Sequence, residues 1–146
     1  MCTGTDRGEP ARYSDQPGLA VVLLLSSSLT FLLRCLQAGA AADAVEVNGA
    51  CSLLVACQEG HLECTELLIG ARANINLAMH PHAADNEGGF TPLIAAAKNG
   101  HILCAKALLN VGADPNMAAT VRSWNALKFA EDGGHANICA LLRNEN

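Results

Sequence analysis

Three histidines recur behind glycines: Gly60-His61-Leu62, Gly100-His101-Ile102 and Gly134-His135-Ala136. An imidazole exchanges a proton near neutral pH, so a recurring histidine raises the question of general acid–base chemistry. Cys57 and His61 stand at i and i+4, a spacing that would set a thiol and a base on one helical face. Gly60 lies between them and breaks such a helix. His80, His82 and Asp85 are of metal-ligand type. Two histidines in a loop with no cysteine close by in sequence match a zinc site only weakly. No oxyanion-hole signature, glycine-rich phosphate loop or HExxH motif occurs in the chain. The reading is therefore non-catalytic, with no catalytic residue, no metal site and no cofactor.

The histidines are better explained by register. Thr91-Pro92-Leu93 stands nine residues before Gly100, and Gly112-Ala113-Asp114-Pro115-Asn116 begins twelve after it. Each Gly-His pair sits between two short apolar runs with helical spacing. From Gly60 to Gly100 is 40 residues, and from Gly100 to Gly134 is 34. Ser27-Ser28 precedes Gly60-His61 by 33 residues, and Ala40 precedes Ala73 by the same interval.

This phrasing resembles the ankyrin repeat, whose period is about 33 residues and whose opening reads T-P-L-H-x-A. The resemblance covers about residues 17–146. It implies an all-α solenoid of helix–turn–helix units with short β-like fingers. The units fall at about 17–45, 46–77, 89–118 and 122–146, with a finger insertion over 77–88 and a disordered tail over 1–16.

Each slot has a physical reason. Thr91 is placed to cap a helix, and Pro92 suits a first turn whose N–H has no partner. The small Ala96 and Ala97 allow close helix packing, while Gly100 and Gly112 end helices in the left-handed region. Ile102, Cys104, Ala105, Leu108 and Leu109 form an inward face, and His101 serves as a local turn-forming group. Departures from the pattern are also visible. Cys51-Ser52-Leu53-Leu54 and Asn125-Ala126-Leu127-Lys128 replace T-P-L-H, and Leu54, Ile94 and Lys128 occupy its histidine slot. Arg72 stands where a unit-ending glycine belongs. The absent histidines predict looser finger ordering with the fold kept.

Composition agrees with packed helices: apolar residues are 51% of the chain and aromatics only 3%. Net charge is −5 and no Lys/Arg-rich run occurs, which argues against nucleic acid as a partner. Seven cysteines, an odd number without regular pairing, argue against a disulfide framework and for a reducing compartment, cytoplasmic or nuclear. Leu19–Leu33 carries no charge and competes as a targeting segment, with residues 19–40 read as a signal that precedes a secreted or membrane-targeted three-unit protein. Against that reading, Asp6, Glu9 and Asp15 offset Arg7 and Arg12 ahead of the run, and Arg34 interrupts it. A cut near Ala40 would also fall inside a Gly-Ala pair that aligns with Gly112-Ala113. Fifteen residues are short of the roughly 20 that a membrane span needs, so no membrane role is expected.

The resemblance implies a protein partner, held by finger tips and by the concave face of the first helices. Carried over by slot, the partner-binding residues are Gln58 and Glu59, Lys98 and Asn99, Phe90, Arg122 and Trp124. Met79, His80 and His82 join them from the insertion finger, since exposed long loops often carry function. Phe90, Arg122 and Trp124 are the expected anchors, aromatic and arginine side chains being enriched at interface hot spots. The fourth unit presents Lys128, Glu131, Asp132, Asn137, Arg143, Asn144 and Glu145, the polar outer face a terminal unit needs. The nearly all-apolar Ala20–Leu25 makes self-association through the first unit an expectation as well.

Overall fold

A computed structural model describes residues 51–79, 88–120 and 122–144. Six helices follow in order: α1 (Ser52–Glu59), α2 (Leu62–Gly70), α3 (Pro92–Asn99), α4 (Ile102–Asn110), α5 (Ala126–Asp132) and α6 (Ala136–Asn144). They form three antiparallel pairs. The first helices α1, α3 and α5 pack side by side in one layer, and α2, α4 and α6 make a second layer behind them. Units 17–45 and the 1–16 tail lie outside the described residues.

The second pair shows why this sequence turns where it does. Thr91 holds an extended backbone, and its hydroxyl accepts from the Ile94 N–H at 3.3 Å. Pro92 follows at the first helical position. Gly100 ends α3 at φ 81°, so the His101 N–H can reach the Ala96 carbonyl at 3.0 Å. Asn125 repeats the cap with its amide oxygen, which accepts from the Lys128 N–H at 3.0 Å. Cys51, in the Thr91 slot, makes no side-chain cap. Ser52, in the Pro92 slot, is buried with a hydroxyl that has no hydrogen-bond partner among the described residues.

The core follows the two helical periods. Leu53, Ala56, Cys57, Leu93, Ala96, Ala97 and Ala130 are buried in the first-helix layer, where alanines let the backbones approach closely. Cys64, Leu68, Cys104, Ala105, Leu108, Ile138 and Leu142 are buried in the second. The outer face of that layer is exposed at Glu63, Glu66 and Gly70, and at Leu103, Lys106 and Asn110. The expected inward face of α4 is buried at Cys104, Ala105, Leu108 and Leu109, while Ile102 is half-buried. The polar outer face of the last pair is an ion-pair arrangement: Glu131 receives Arg143 at 3.0 Å and Lys128 at 3.5 Å. The Arg143 hydrogen bond holds the Glu131 carboxyl below the usual carboxylate range.

Every insertion relative to the repeat falls in the fingers, where loop closure costs little. The arms of the longer finger meet where the Met79 N–H donates to Phe90 O and the Gly89 N–H to Met79 O, both at 2.8 Å. The next finger closes through Ala119 N–H to Trp124 O at 2.9 Å. Its only sheet-like contact is an antiparallel bridge, Ala118 with Asn125. The two fingers are tied together. The Thr120 N–H and hydroxyl both donate to the Gly88 carbonyl at 2.9 Å, and the Gly88 N–H donates to the Thr120 hydroxyl at 3.1 Å. Gly89 is required there. A Cβ would come within 2.9 Å of the Thr120 backbone nitrogen, at a φ of 77°.

Arg72 occupies the left-handed region at φ 62°, the slot that Gly112 fills at φ 91°. Its side chain is exposed. Arg72→Gly is expected to raise stability by up to about 1 kcal/mol, the backbone relief exceeding the entropy that glycine adds to the unfolded chain; an unchanged urea midpoint would refute it. Leu108, 0% exposed, is the opposite case. Leu108→Ala should cost about 2–5 kcal/mol in the same titration.

Candidate partner-binding surface

Two of the three recurring histidines, His101 and His135, hold the described units together. His101 Nε2 lies 3.0 Å from the Gln58 carbonyl oxygen, and His135 Nε2 lies 3.1 Å from that of Lys98. A carbonyl only accepts, so each Nε2 carries the proton and donates. Each ring lies against the glycine that ends the preceding first helix. A Cβ on Gly60 would stand 2.5 Å from His101 Nδ1, and one on Gly100 would stand 2.6 Å from His135 Cε1. The role expected from sequence, a local turn-forming group, is thus too small. These side chains span from one unit to the one before, because a free carbonyl at a helix C-terminus needs a donor.

Cys57 is no partner for His61. Gly60 separates them at φ 77°, and the Cys57 thiol is 0% exposed, 3.7 Å from Thr65 Oγ1. The Thr65 hydroxyl donates to the His61 carbonyl at 2.9 Å and also contacts Cys104 Sγ at 3.7 Å. Its one proton goes to the shorter contact, leaving its lone pairs for the two thiols. Burial pushes the Cys57 and Cys104 thiols up from their ordinary range. A buried thiol held protonated is a small hydrophobe and a poor nucleophile. Among the described residues no three His, Cys, Asp or Glu side chains gather as a metal site; His80, His82 and Asp85 lie outside those residues. No described helix is long and apolar enough to cross a membrane.

The sequence-derived docking residues converge at the ends of the first helices. A depression of about 220 Å³ is lined by Leu54, Gln58, Met79, Phe90, Ala95, Lys98 and Asn99. Two helices and one finger build it. Gln58 lies in the last turn of α1, Lys98 and Asn99 end α3, and the Met79–Phe90 bonds bring the finger beside both. Asn99 is fixed by its amide, which donates to Ala95 O at 2.9 Å. Glu59 stands at the rim, where it accepts from the Gln58 amide at 3.3 Å.

Beside the depression runs a row of aromatic rings. Phe90 lies 5.3 Å from Phe129 and Trp124 lies 5.4 Å from it on the other side, centroid to centroid. A cation covers each end. Lys98 Nζ is 5.3 Å above the Phe90 ring, and the Arg122 guanidinium is 4.8 Å above Trp124. Ser123, at φ 51°, makes the turn between Arg122 and Trp124. Met79, Phe90, Lys98, Asn99, Gln58, Arg122 and Trp124 are therefore placed on one surface, while His80 and His82 lie outside the described residues.

Sequence reasoning missed Phe129, the centre of the row. The signal was there in register: Phe129 occupies the slot of Ala95 and Val55, so a bulky ring replaces a small side chain in the last unit.

A family model for ankyrin repeats, three copies, matches residues 20–119 and again 75–146. No curated protein matches the chain. Ankyrin repeats are generally protein–protein interaction modules and typically carry no catalysis. With helix pairs, left-handed glycine stops and finger turns all in the repeat's register, and with a match over most of its length, the chain belongs to the ankyrin repeat family.

Proposed function

We propose that this protein is a non-catalytic scaffold or adaptor that docks a partner protein on the first-helix ends and finger roots. One observation carries the reading. Seven side chains picked from separate positions of the repeat and its finger lie around one depression and one aromatic row, on elements tied by the Met79–Phe90 and Gly88–Thr120 hydrogen bonds. Rigid presentation lowers the ordering cost of binding. Aromatic and arginine side chains at such a place typically cost about 2 kcal/mol or more when truncated.

The compartment proposed is cytoplasmic or nuclear. Support comes from Cys57, Cys64, Cys104 and Cys139, all buried and in no disulfide, which is cysteine used as core filling rather than as staples. That the family match begins at residue 20 supports reading 17–45 as a repeat unit rather than a signal.

The test is affinity capture from host lysate with the wild type and with a Trp124→Ala/Arg122→Ala variant of native circular dichroism. A Leu103→Ser variant, altered on the exposed outer face of α4, serves as the control. Loss of the captured partners with the double variant alone is the expected result. An identical partner set from all three would overturn the assignment of this surface.

A further inference from the structure

Among the described cations, Lys98 and Arg122 are the two that lie over aromatic rings. Lys128 and Arg143 are both satisfied by Glu131. Lys98 and Arg122 make no ion pair with any described residue, although the chain as a whole is acidic. Each instead lies over an aromatic face. A ring face attracts a cation through its quadrupole but leaves the N–H groups directed elsewhere unused. This matters most for arginine, whose planar fork stacks by its face and donates from its edge. Both side chains are exposed, so a carboxylate can reach them without displacing any described residue.

The depression and the row between the two cations are apolar at the centre. Leu54, Met79, Phe90 and Ala95 line the one, and Phe90, Phe129 and Trp124 make the other. A ligand that matches this surface is apolar in the middle and negative at its ends.

We infer that the surface between Lys98 and Arg122 takes an extended peptide segment of a partner protein, with an apolar side chain seated among Leu54, Met79, Phe90 and Ala95 and carboxylates set against the two cations. The proposal rests on the docking reading above and names the partner's chemistry. The two cations are joined through Phe90, Phe129 and Trp124 by four steps near 5 Å each. The straight-line separation is no longer than that path, so an extended strand rising about 3.3 Å per residue covers it in at most about six residues. The recognised segment is then a short one, acidic–apolar–acidic, and its binding weakens as salt rises.

The experiment is selection of a random dodecapeptide display library on three forms of the full chain. These are the wild type, a Lys98→Glu/Arg122→Glu variant, and a Phe90→Ala variant, each checked for native circular dichroism. The wild type should enrich peptides with an Asp or Glu on each side of an apolar residue. Those peptides should lose at least tenfold in affinity on the charge-swapped variant, which should enrich Lys/Arg peptides instead. Enriched peptides without acidic residues, failure to enrich any, or equal binding to the charge-swapped variant would overturn the acidic-segment inference. The docking reading is scored separately. Peptides weakened by Phe90→Ala but indifferent to the charge swap leave it standing, and peptides indifferent to both overturn it too.

Discussion

The structure depends on what happens at the C-terminal end of each first helix. A helix end leaves carbonyls without partners, and in a stacked array that end is also where the next unit must attach. One pair of residues meets both demands. Glycine takes the left-handed turn and, having no Cβ, leaves room for an imidazole from the following unit. That imidazole then donates to the carbonyl of Gln58 or Lys98. The Gly-His pair therefore does two things at two places. The glycine serves its own unit and receives the neighbour, while the histidine serves the unit before. A substitution at Gly60 strains a backbone at φ 77° and also collides with His101, so it breaks a turn and a joint together.

Because the joints lie at backbone carbonyls and at buried small residues, the side chains around them are released from structural duty. Gln58 and Lys98 lend only their carbonyls to the latch, and their side chains point into the depression's lining. The same holds at the fingers, where Gly88 and Thr120 carry the tie between units through main-chain groups and one hydroxyl. Identity at Gln58, Lys98, Arg122 and Met79 can thus vary with the partner while the stack stays in register. This separation between what holds the array and what it presents is what lets one architecture serve as a binding surface.

Most of the fold was legible in the sequence because the repeat's slots have local causes. Thr91 before Pro92, Gly100 before His101 and Gly112 before Ala113 each signal a turn through its own chemistry. The left-handed backbone at Arg72 was readable from register alone, because a side chain stands there in the slot of a unit-ending glycine. What escaped was everything that depends on the fit between units. The reach of His101 spans 43 residues, and no local pattern distinguishes it from a turn-forming histidine. The Cys57–Thr65–Cys104 contact likewise joins residues whose helical faces are visible but whose mutual distance is not.

Phe129 marks the boundary between the two kinds of information. In the first-helix layer, the slot of Val55 and Ala95 is kept modest in size. The last described unit places a ring there, and that ring fills the space between Phe90 and Trp124. Three aromatic side chains from a finger root, a helix and a second finger root then form one continuous row, in a chain where aromatics are scarce. A row built this way is stiff, since each ring is held by its neighbours, and its ends are held under cations. Among the described residues, Phe129 belongs to the buried core while Phe90 and Trp124 pack against it half-buried, so the row joins the core to the surface where the fingers begin.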